Sequence, residues 1–485
     1  MSGSAQALDG RLRELHELPG PKPWPLLGNL PGVQLATIHQ TVERWAREHG
    51  PFFRFRLGAR RFLGVADPVA IAQMLRDRPD GFSRSRKLTE IWHEMGLDDG
   101  LFHAEGEVWQ RQRRMVMAAF DPGHVRDYYP RLLSVAQRLD GRWRAAARAG
   151  QAIDLQADLM RFTVDAISGL AFGADINTLE SDDAVIQRHL DRIFPALFKR
   201  TLALLPTWRW FKGAEDRRLD QALVEVKAAI AGFVAQARQR LAADPARRAQ
   251  PDNLLEAMIV AADTGDSGGV GDISDRDIAG NVLTMLLAGE DTTANTLAWM
   301  LDLLWRHPEA LQRAQDEVRG VVRDLGVLTI EQLQRLDWVE ACCNETMRLK
   351  PVAPQNILAA LRDTTVAGVR IPRGTIVWCA MRSGATDEAH FTDAARFDPT
   401  RWLAGDAAAP ASAKRIAMPF GAGPRVCPGR YLALLEMKLA MAMLLSSFDI
   451  ESVSTPNGQP AAEHLAFTMA PVGLSMRLRE RPRAA

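Results

Sequence analysis

Apolar residues recur at intervals of three and four residues over most of the chain, from Pro68 to about Leu349. This spacing places them on one face of an α-helix, so it predicts a succession of long amphipathic helices. Shorter stretches such as Phe52–Leu57 alternate in steps of two, which predicts β-strands. The pattern therefore indicates a mainly α protein, multihelical with small β-sheet regions. The clearest predicted helices span 106–119, 124–148, 155–172, 182–200, 215–242 and 252–263.

One predicted helix is much longer than the others and covers 274–306. Ser274 and Asp277 have the spacing of a capping box at its start. Another apolar helix is predicted over 428–447. Between 382 and 427 the pattern is irregular, and so long an irregular stretch inside a domain is usually functional. Strands are predicted at 52–57, 61–66, 357–361, 365–371 and 375–379.

The charge balance and the cysteine count narrow the classes of protein. The 485 residues carry 60 basic and 59 acidic side chains, and the net charge of +1 argues against nucleic-acid binding. Four cysteines are too few for a disulfide scaffold and indicate a reduced, intracellular protein. No apolar run suits a signal peptide or membrane helix, so we expect a soluble, cytoplasmic protein without a membrane anchor. Residues 1–18 are expected to be a polar tail, and 19–485 a single domain with no fused reductase.

A glycine-rich loop, FGAGPRVCPG, occupies residues 420–429 and contains Cys427. We expect a helix to begin at Pro428, because proline suits the first helical position. The free amide groups of Gly429 and Arg430, together with the helix dipole, would stabilise a thiolate. A thiolate is a soft metal ligand. From these residues alone, a turn that merely contains a buried cysteine stays open as the alternative.

The order Phe-x-x-Gly-x-Arg-x-Cys-x-Gly in this loop resembles the haem-binding loop of the cytochrome P-450 family, the haem-thiolate monooxygenases. The resemblance implies the cytochrome P-450 fold, with haem b between the long central helix and the helix that follows the loop. It also implies that the Cys427 thiolate ligates the iron, that Arg425 pairs with a haem propionate and that Ala433 faces the haem. The cofactor-binding residues implied here are Pro419, Phe420, Gly421, Arg425, Cys427, Gly429 and Ala433.

The middle of the long helix reads Ala-Gly-Glu-Asp-Thr-Thr from Ala288, a polar stretch between apolar flanks. Glycine, aspartate and threonine are weak helix formers, so the stretch is either a groove for a ligand or a solvated face. It resembles the family's Ala/Gly-Gly-x-Asp/Glu-Thr. The resemblance implies that Ala288, Gly289 and Thr292 border the haem and that Gly289 leaves space over the iron. Asp291 and Thr292 are then the catalytic residues, which relay protons to dioxygen.

A second motif is Glu345 and Arg348, three residues apart on one predicted helix. Taken alone, such a pair is common on helix surfaces. It resembles the family's Glu-x-x-Arg, whose third partner is an arginine that Arg401 matches. The resemblance implies that Glu345, Arg348 and Arg401 form a buried cluster with a structural role.

Trp109 and Arg113 share one helical face and resemble the family's Trp-x-x-x-Arg, which contacts a haem propionate. Without the resemblance, the alternative interpretation is a half-buried tryptophan beside a surface arginine. His103, just upstream, is a further candidate for the propionates. The chain departs from the family at Leu358, where many members place an arginine or histidine that binds a propionate.

The resemblance implies a monooxygenase that inserts one atom of dioxygen into a hydrophobic organic substrate, by hydroxylation or epoxidation. A peroxygenase, an isomerase or dehydratase on the same fold, and a non-catalytic haem sensor are the alternatives. The Asp291–Thr292 pair favours the monooxygenase. Electrons are expected from a ferredoxin or flavodoxin with its NAD(P)H-dependent reductase. The residues expected to form a cationic dock for that partner are Arg111, Arg114, Arg126, Lys414, Arg415, Arg425 and Arg430.

Overall fold

A computed structural model describes residues 11–181, 185–264, 273–403 and 408–482, which are mostly helical with small sheets. The helices are α1 (Ile38–His49), α2 (Pro68–Arg76), α3 (Arg86–Glu94), α4 (Gly106–Ala119), α5 (Pro122–Arg148), α6 (Leu155–Phe172), α7 (Val185–Leu202), α8 (Thr207–Trp210), α9 (Ala214–Ala243), α10 (Pro245–Ala249), α11 (Leu254–Asp263), α12 (Asp275–Arg306), α13 (Pro308–Val321), α14 (Ile330–Gln334), α15 (Asp337–Leu349), α16 (Met381–Ala385), α17 (Ala408–Ala417) and α18 (Arg430–Ser447). The strands are β1 (Phe52–Leu57), β2 (Arg60–Val65), β3 (Phe82–Arg84), β4 (Ile153–Asp154), β5 (Gln355–Ala360), β6 (Thr364–Val366), β7 (Val369–Ile371), β8 (Ile376–Ala380), β9 (Phe448–Ser454), β10 (Glu463–Leu465), β11 (Met469–Pro471) and β12 (Ser475–Glu480).

The chain folds as two compact units, and the first comprises Met1–Arg86, Ala353–Ala394 and Lys414–Val426. Its centre is a five-stranded sheet in the order β1-β2-β8-β5-β3, in which β2 and β8 are parallel. The alternation in β1 buries Phe53 and Phe55, as predicted. The ring of Phe55 stacks on that of Phe62 at 4.9 Å, so aromatic packing between neighbouring strands stabilises the sheet.

The described part of the predicted amino-terminal tail, from residue 11, is anchored to this unit. The backbone of Arg13 pairs with Gly368 and Arg370 around the β6–β7 hairpin, with N···O distances of 2.9 Å. Leu18 is buried in the core of the same unit. Backbone pairing and one buried leucine thus hold residues 11–18 on this unit, while most of their side chains stay exposed. Residues 1–10 lie outside the described residues.

The second unit comprises Lys87–Val352, Ala395–Ala413 and Cys427–Ala485. Helix α12 runs through it and is buried over most of its length, with α6, α9, α15 and α18 against it. Ser274 caps α12 and forms the predicted capping box with Asp277. A three-stranded sheet of β4, β12 and β9 and a two-stranded hairpin of β10 and β11 complete the unit.

Two differences from the sequence prediction lie around the cysteine loop. Helix α18 begins at Arg430, not at Pro428, because Gly429 is the residue whose carbonyl accepts the first helical hydrogen bond, from Ala433. The stretch 382–427 is less irregular than expected, since it includes most of α16 and all of α17. Among the described residues, no helix is long and apolar enough to cross a bilayer. All four cysteine thiols are free.

Candidate functional site

Cys427 lies just before α18, in the turn that leads into the helix. Burial raises the pKa of its thiol, while the amide N–H of Gly429, which donates to the sulfur, and the charges of Arg113 and Arg430 lower it. A Cβ at Gly429 would lie 4.0 Å from Sγ, an ordinary van der Waals contact. The pKa stays above its ordinary value in the protein alone. A metal cation bound at the sulfur would supply the missing positive charge and hold the thiolate form.

Arg113 provides a second indication of what the site holds. Its guanidinium is half-buried on α4, and burial lowers its pKa. Among the described residues, no carboxylate pairs with it. Arg113 is thus a partly buried cation, close enough to Cys427 to influence the pKa of the thiol. Because it has no protein counter-ion in the described ranges, it fits an anionic group such as a haem propionate.

The polar stretch of α12 is where this buried helix becomes accessible. Ala288 is exposed, and Gly289, Asp291 and Thr292 are half-buried, although the helix is buried on both sides of them. This local opening within the protein interior fits a bound planar group better than a solvated surface face. The Thr292 hydroxyl donates to the carbonyl oxygen of Ala288 at 2.7 Å, which fixes its position at the opening.

Gly289, which was expected to leave space over the iron, packs against α6 instead. A Cβ at this position would lie 2.9 Å from Cγ1 of Ile167 in α6. Glycine is therefore required for the close packing of α6 on α12, and the absent side chain would point at α6 and not into the opening. In the next residue along α12, the carbonyl of Glu290 accepts a hydrogen bond from Thr163 of α6 at 2.9 Å. Ala288 is the residue that borders the opening.

Asp291 lies beside a small cavity that is lined by both polar and apolar side chains. The cavity has a volume of about 190 Å³ and is bordered by α6, α7, α12 and the β10–β11 hairpin. One carboxylate oxygen of Asp291 accepts a hydrogen bond from the Thr468 hydroxyl at 3.2 Å. The polar residues that line the cavity are Gln156, Glu290, Asp291, Asn295, His464 and Thr468. A cavity of this size with several polar side chains in its lining has room for water molecules next to the predicted catalytic acid.

Glu436 is a buried carboxyl group that sequence reasoning missed. It lies on α18 and hydrogen-bonds with Thr293, the neighbour of Thr292 on α12. Burial raises its pKa to about 8. Glu436 is therefore largely protonated at neutral pH. Its hydrogen bond joins α18, the helix that follows Cys427, to α12, which carries Asp291 and Thr292. An acid within a predicted apolar helix was the signal that could have identified it.

The predicted structural cluster is assembled around Glu345, whose side chain is fully buried. Arg348 donates to both of its carboxylate oxygens at 2.8 Å, and Arg401 lies 3.5 Å from one of them. The Trp402 indole N–H donates at 2.9 Å and the Asp398 amide at 2.8 Å. Every oxygen of this buried carboxylate is thus hydrogen-bonded, which is the condition for a buried charge to be tolerated.

The remaining predicted residues of the second unit lie on or near α4 and α18. Trp109 is buried one helical turn before Arg113, and His103 is buried against Trp92, with ring centroids 3.8 Å apart. Ala433 is half-buried in the first turn of α18.

The part of the loop that precedes the cysteine belongs to the first unit. Within that unit, Pro419, Phe420 and Arg425 are half-buried and Gly421 is exposed. Gly423 has a φ of 72°, and a Cβ there would lie 2.5 Å from the carbonyl oxygen of Leu75 in α2. The glycine therefore allows the loop to pack on α2. Leu358 is fully buried in the core of this unit, which explains its apolar side chain.

A cysteine just before a helix, a half-buried arginine near it and a local opening in a buried helix fit the class of haem-thiolate proteins. A family model described as Cytochrome P450 matches residues 18–477, and the chain belongs to this family. The chain is 31% identical to "Cytochrome P450 734A6" of Oryza sativa subsp. japonica, over 89% of this chain and 79% of that protein. It is 28% identical to "25-hydroxyvitamin D-1 alpha hydroxylase, mitochondrial" of Rattus norvegicus, over 91% of this chain and 89% of that protein.

The fold is also that of solved structures of the family. The crystal structure of the cytochrome P450DA heme domain has a TM-score of 0.82 to this chain, at 26% identity, and the match covers 98% of this chain and 99% of that one. A relative from Penicillium camemberti, "Self-sufficient cytochrome P450 monooxygenase CYP505E4", is 30% identical, and the chain spans 41% of its length. The chain is thus a cytochrome P450 monooxygenase, and the cofactor of this family is haem with iron ligated by cysteine.

Proposed function

We propose that this monooxygenase inserts one oxygen atom into a hydrophobic organic substrate, by hydroxylation or epoxidation, with electrons from a separate ferredoxin or flavodoxin. In the overall reaction one atom of dioxygen enters a C–H or C=C bond, and two electrons and two protons reduce the other atom to water. The observation that supports this most is the opening at Ala288 in the buried helix α12, with the Asp291–Thr292 pair beside it.

The haem, when bound, supplies activation of dioxygen, and a thiolate ligand favours cleavage of its O–O bond. The protein's own residues supply position and protons. Because the Thr292 hydroxyl donates to the Ala288 carbonyl, its oxygen lone pairs can accept a hydrogen bond from water. Rotation of the hydroxyl then delivers a proton into the opening. Asp291, which borders the small cavity, is the acid that replaces this proton from water.

The hydrophobic substrate class is supported by aromatic side chains of the second unit. The ring of Phe467 stacks on that of Phe194 with centroids 4.3 Å apart, and lies 5.8 Å from the ring of Phe102. Phe102 and Phe467 are half-buried, so part of each ring stays available to an apolar ligand.

The Thr292→Ala variant tests the acid–alcohol relay. We expect it to retain haem but to release hydrogen peroxide at the expense of product, because no hydroxyl remains at the opening to deliver the proton. Loss of one general-acid group typically costs about 10²–10⁴-fold, so product formed per NADPH should fall by at least roughly tenfold. The measurement is product and peroxide per NADPH with a surrogate ferredoxin and reductase.

Thr292→Ser is the matched control, since it keeps the hydroxyl. It should couple electrons to product nearly as well as the unchanged protein. Full coupling in Thr292→Ala would contradict the relay and favour a mechanism that does not use it.

The proposed partner is an acidic electron carrier that docks on basic residues. In the second unit Arg114, Arg126 and Arg430 are exposed and Arg111 is half-buried. Arg126 forms an exposed ion pair with Glu331 at 2.7 Å. Arg111 and Arg114 lie on α4 with Arg113, so they are the targets of the test. Because opposite charges steer protein association, the Arg111→Glu/Arg114→Glu variant should slow reduction of the iron by ferredoxin roughly tenfold at low salt.

Stopped-flow reduction kinetics check this prediction, with Arg323→Glu as a control at an exposed arginine elsewhere. Reduction by dithionite and the spectral response to an apolar ligand should be unchanged in all three proteins. Equal rates of reduction by ferredoxin in the double variant and the control would contradict docking at this surface.

A further inference from the structure

The turn between β10 and β11 holds a phenylalanine in an unusual backbone conformation. Ala466, Phe467 and Thr468 form this turn, closed by the Ala466 amide donating to the Thr468 carbonyl at 3.0 Å. Phe467 has a φ of 96°, in the region that favours glycine. A bulky residue adopts it only when the surrounding contacts enforce it, and such strain concentrates at functional sites.

Contacts on both sides of the turn account for this constraint. The Phe467 ring packs between Phe194 and Phe102. The Thr468 hydroxyl donates to the Asp291 carboxylate of α12 at 3.2 Å. Two adjacent residues of one turn thus contact two aromatic rings and the predicted catalytic acid.

The residue that follows the turn is firmly held. The Met469 amide donates to the carbonyl of Val352 at 2.8 Å, and its own carbonyl accepts from the Trp299 indole at 3.2 Å. Since these two hydrogen bonds fix the start of β11, we expect a backbone shift caused by displacement of the Phe467 ring to fall within the turn, where Thr468 is the next residue.

We propose that Thr468 is a positioning residue for proton delivery, and that the turn Ala466–Thr468 makes this positioning responsive to substrate. The Thr468 hydroxyl holds the Asp291 carboxylate at the edge of the small cavity, where water can exchange a proton with it. An apolar substrate that displaces the Phe467 ring shifts Thr468 and thereby reorients Asp291. This inference rests on the proposed role of Asp291 and Thr292.

Thr468→Val and Thr468→Ser separate the hydroxyl from the shape of the side chain. Both are purified with haem, and peroxide released per NADPH is measured with a surrogate ferredoxin and reductase, in the absence of organic substrate. Thr468→Val should release about threefold more peroxide per NADPH, because a lost hydrogen bond to a charged group leaves the acid poorly oriented. Thr468→Ser should match the unchanged protein, and so should the carbon monoxide spectrum of both variants.

Thr292→Ala in the same assay separates the positioning role of Thr468 from the acid–alcohol relay on which it rests. If Thr292→Ala raises peroxide release and Thr468→Val does not, the positioning role is wrong while the relay stands. If neither variant raises it, the relay itself is wrong. Since thermal unfolding and haem content are recorded for each variant, a loss of folding is recognised, and Thr468→Ser then decides whether the hydroxyl matters.

The response to substrate is tested with Phe467→Gly, which removes the ring and relieves the unfavourable φ. The probe is whichever of dodecanoic acid, geraniol and progesterone most strongly shifts the iron spin state of the unchanged protein. The probe should lower peroxide per NADPH about twofold or more in the unchanged protein and leave it unaltered in Phe467→Gly. An equal decrease in both proteins, or no decrease in the unchanged protein, would overturn the coupling by Phe467.

Discussion

Glu345→Gln is expected to yield little folded protein able to bind haem. Glu345 is fully buried and accepts hydrogen bonds from Arg348, Trp402 and the Asp398 amide, with Arg401 close by. Glutamine keeps the shape of the side chain but removes the negative charge that the buried Arg348 and the half-buried Arg401 contact. Breaking a buried ion pair in this way costs about 3–5 kcal/mol. That is a large part of a net stability of roughly 5–15 kcal/mol.

The measurement is chemical denaturation of the purified variant, together with its haem content. Glu331→Gln is the matched control, since Glu331 pairs with Arg126 at an exposed site. Exposed pairs contribute about 0–1 kcal/mol, so the control should unfold nearly as the unchanged protein does. Equal denaturation midpoints for the two variants would show that the cluster does not stabilise the fold.

Cys427→His is expected to abolish dioxygen-dependent product formation while leaving the fold intact. The imidazole can still bind iron, but it lacks the electron donation of a thiolate that favours O–O cleavage. The fold should persist because Cys427 is only half-buried, lies before α18 and forms no disulfide. We expect turnover to fall by at least about 10³-fold, the scale associated with loss of a group on which the chemistry depends.

Cys379→Ala is the control for this variant. Cys379 is fully buried in β8, and burial raises the pKa of its thiol to about 12, so it is an inert core residue. It should lose some stability but keep turnover per bound haem. Comparable turnover per haem in Cys427→His and Cys379→Ala would contradict the role of Cys427.

The long helices were predictable because each has many apolar residues at one period. The bounds predicted for α4 and α6 are those observed, and α12 begins one residue after its predicted cap at Ser274. The strands β9–β12 were not predicted. Two of them, β10 and β11, have only three residues, too few to establish an alternating pattern. β12 is stabilised by pairing with β9 and β4.

In the candidate site, too, local motifs were predictable from the sequence and contacts between distant residues were not. Asp291 and Thr292 form a local motif, which a sequence displays directly. Thr468 contacts Asp291 across 177 residues of chain, and no local pattern indicates such a pair. The surrounding of Gly289 likewise depends on how α6 packs on α12, so its contact with Ile167 emerged only from the structure.

The absorbance spectrum of the dithionite-reduced protein under carbon monoxide tests whether Cys427 ligates haem iron as a thiolate. We expect a strongly red-shifted Soret band in the unchanged protein, and the loss of that band in Cys427→His. A Soret band of the unchanged protein at the position of histidine-ligated haem would contradict ligation by Cys427.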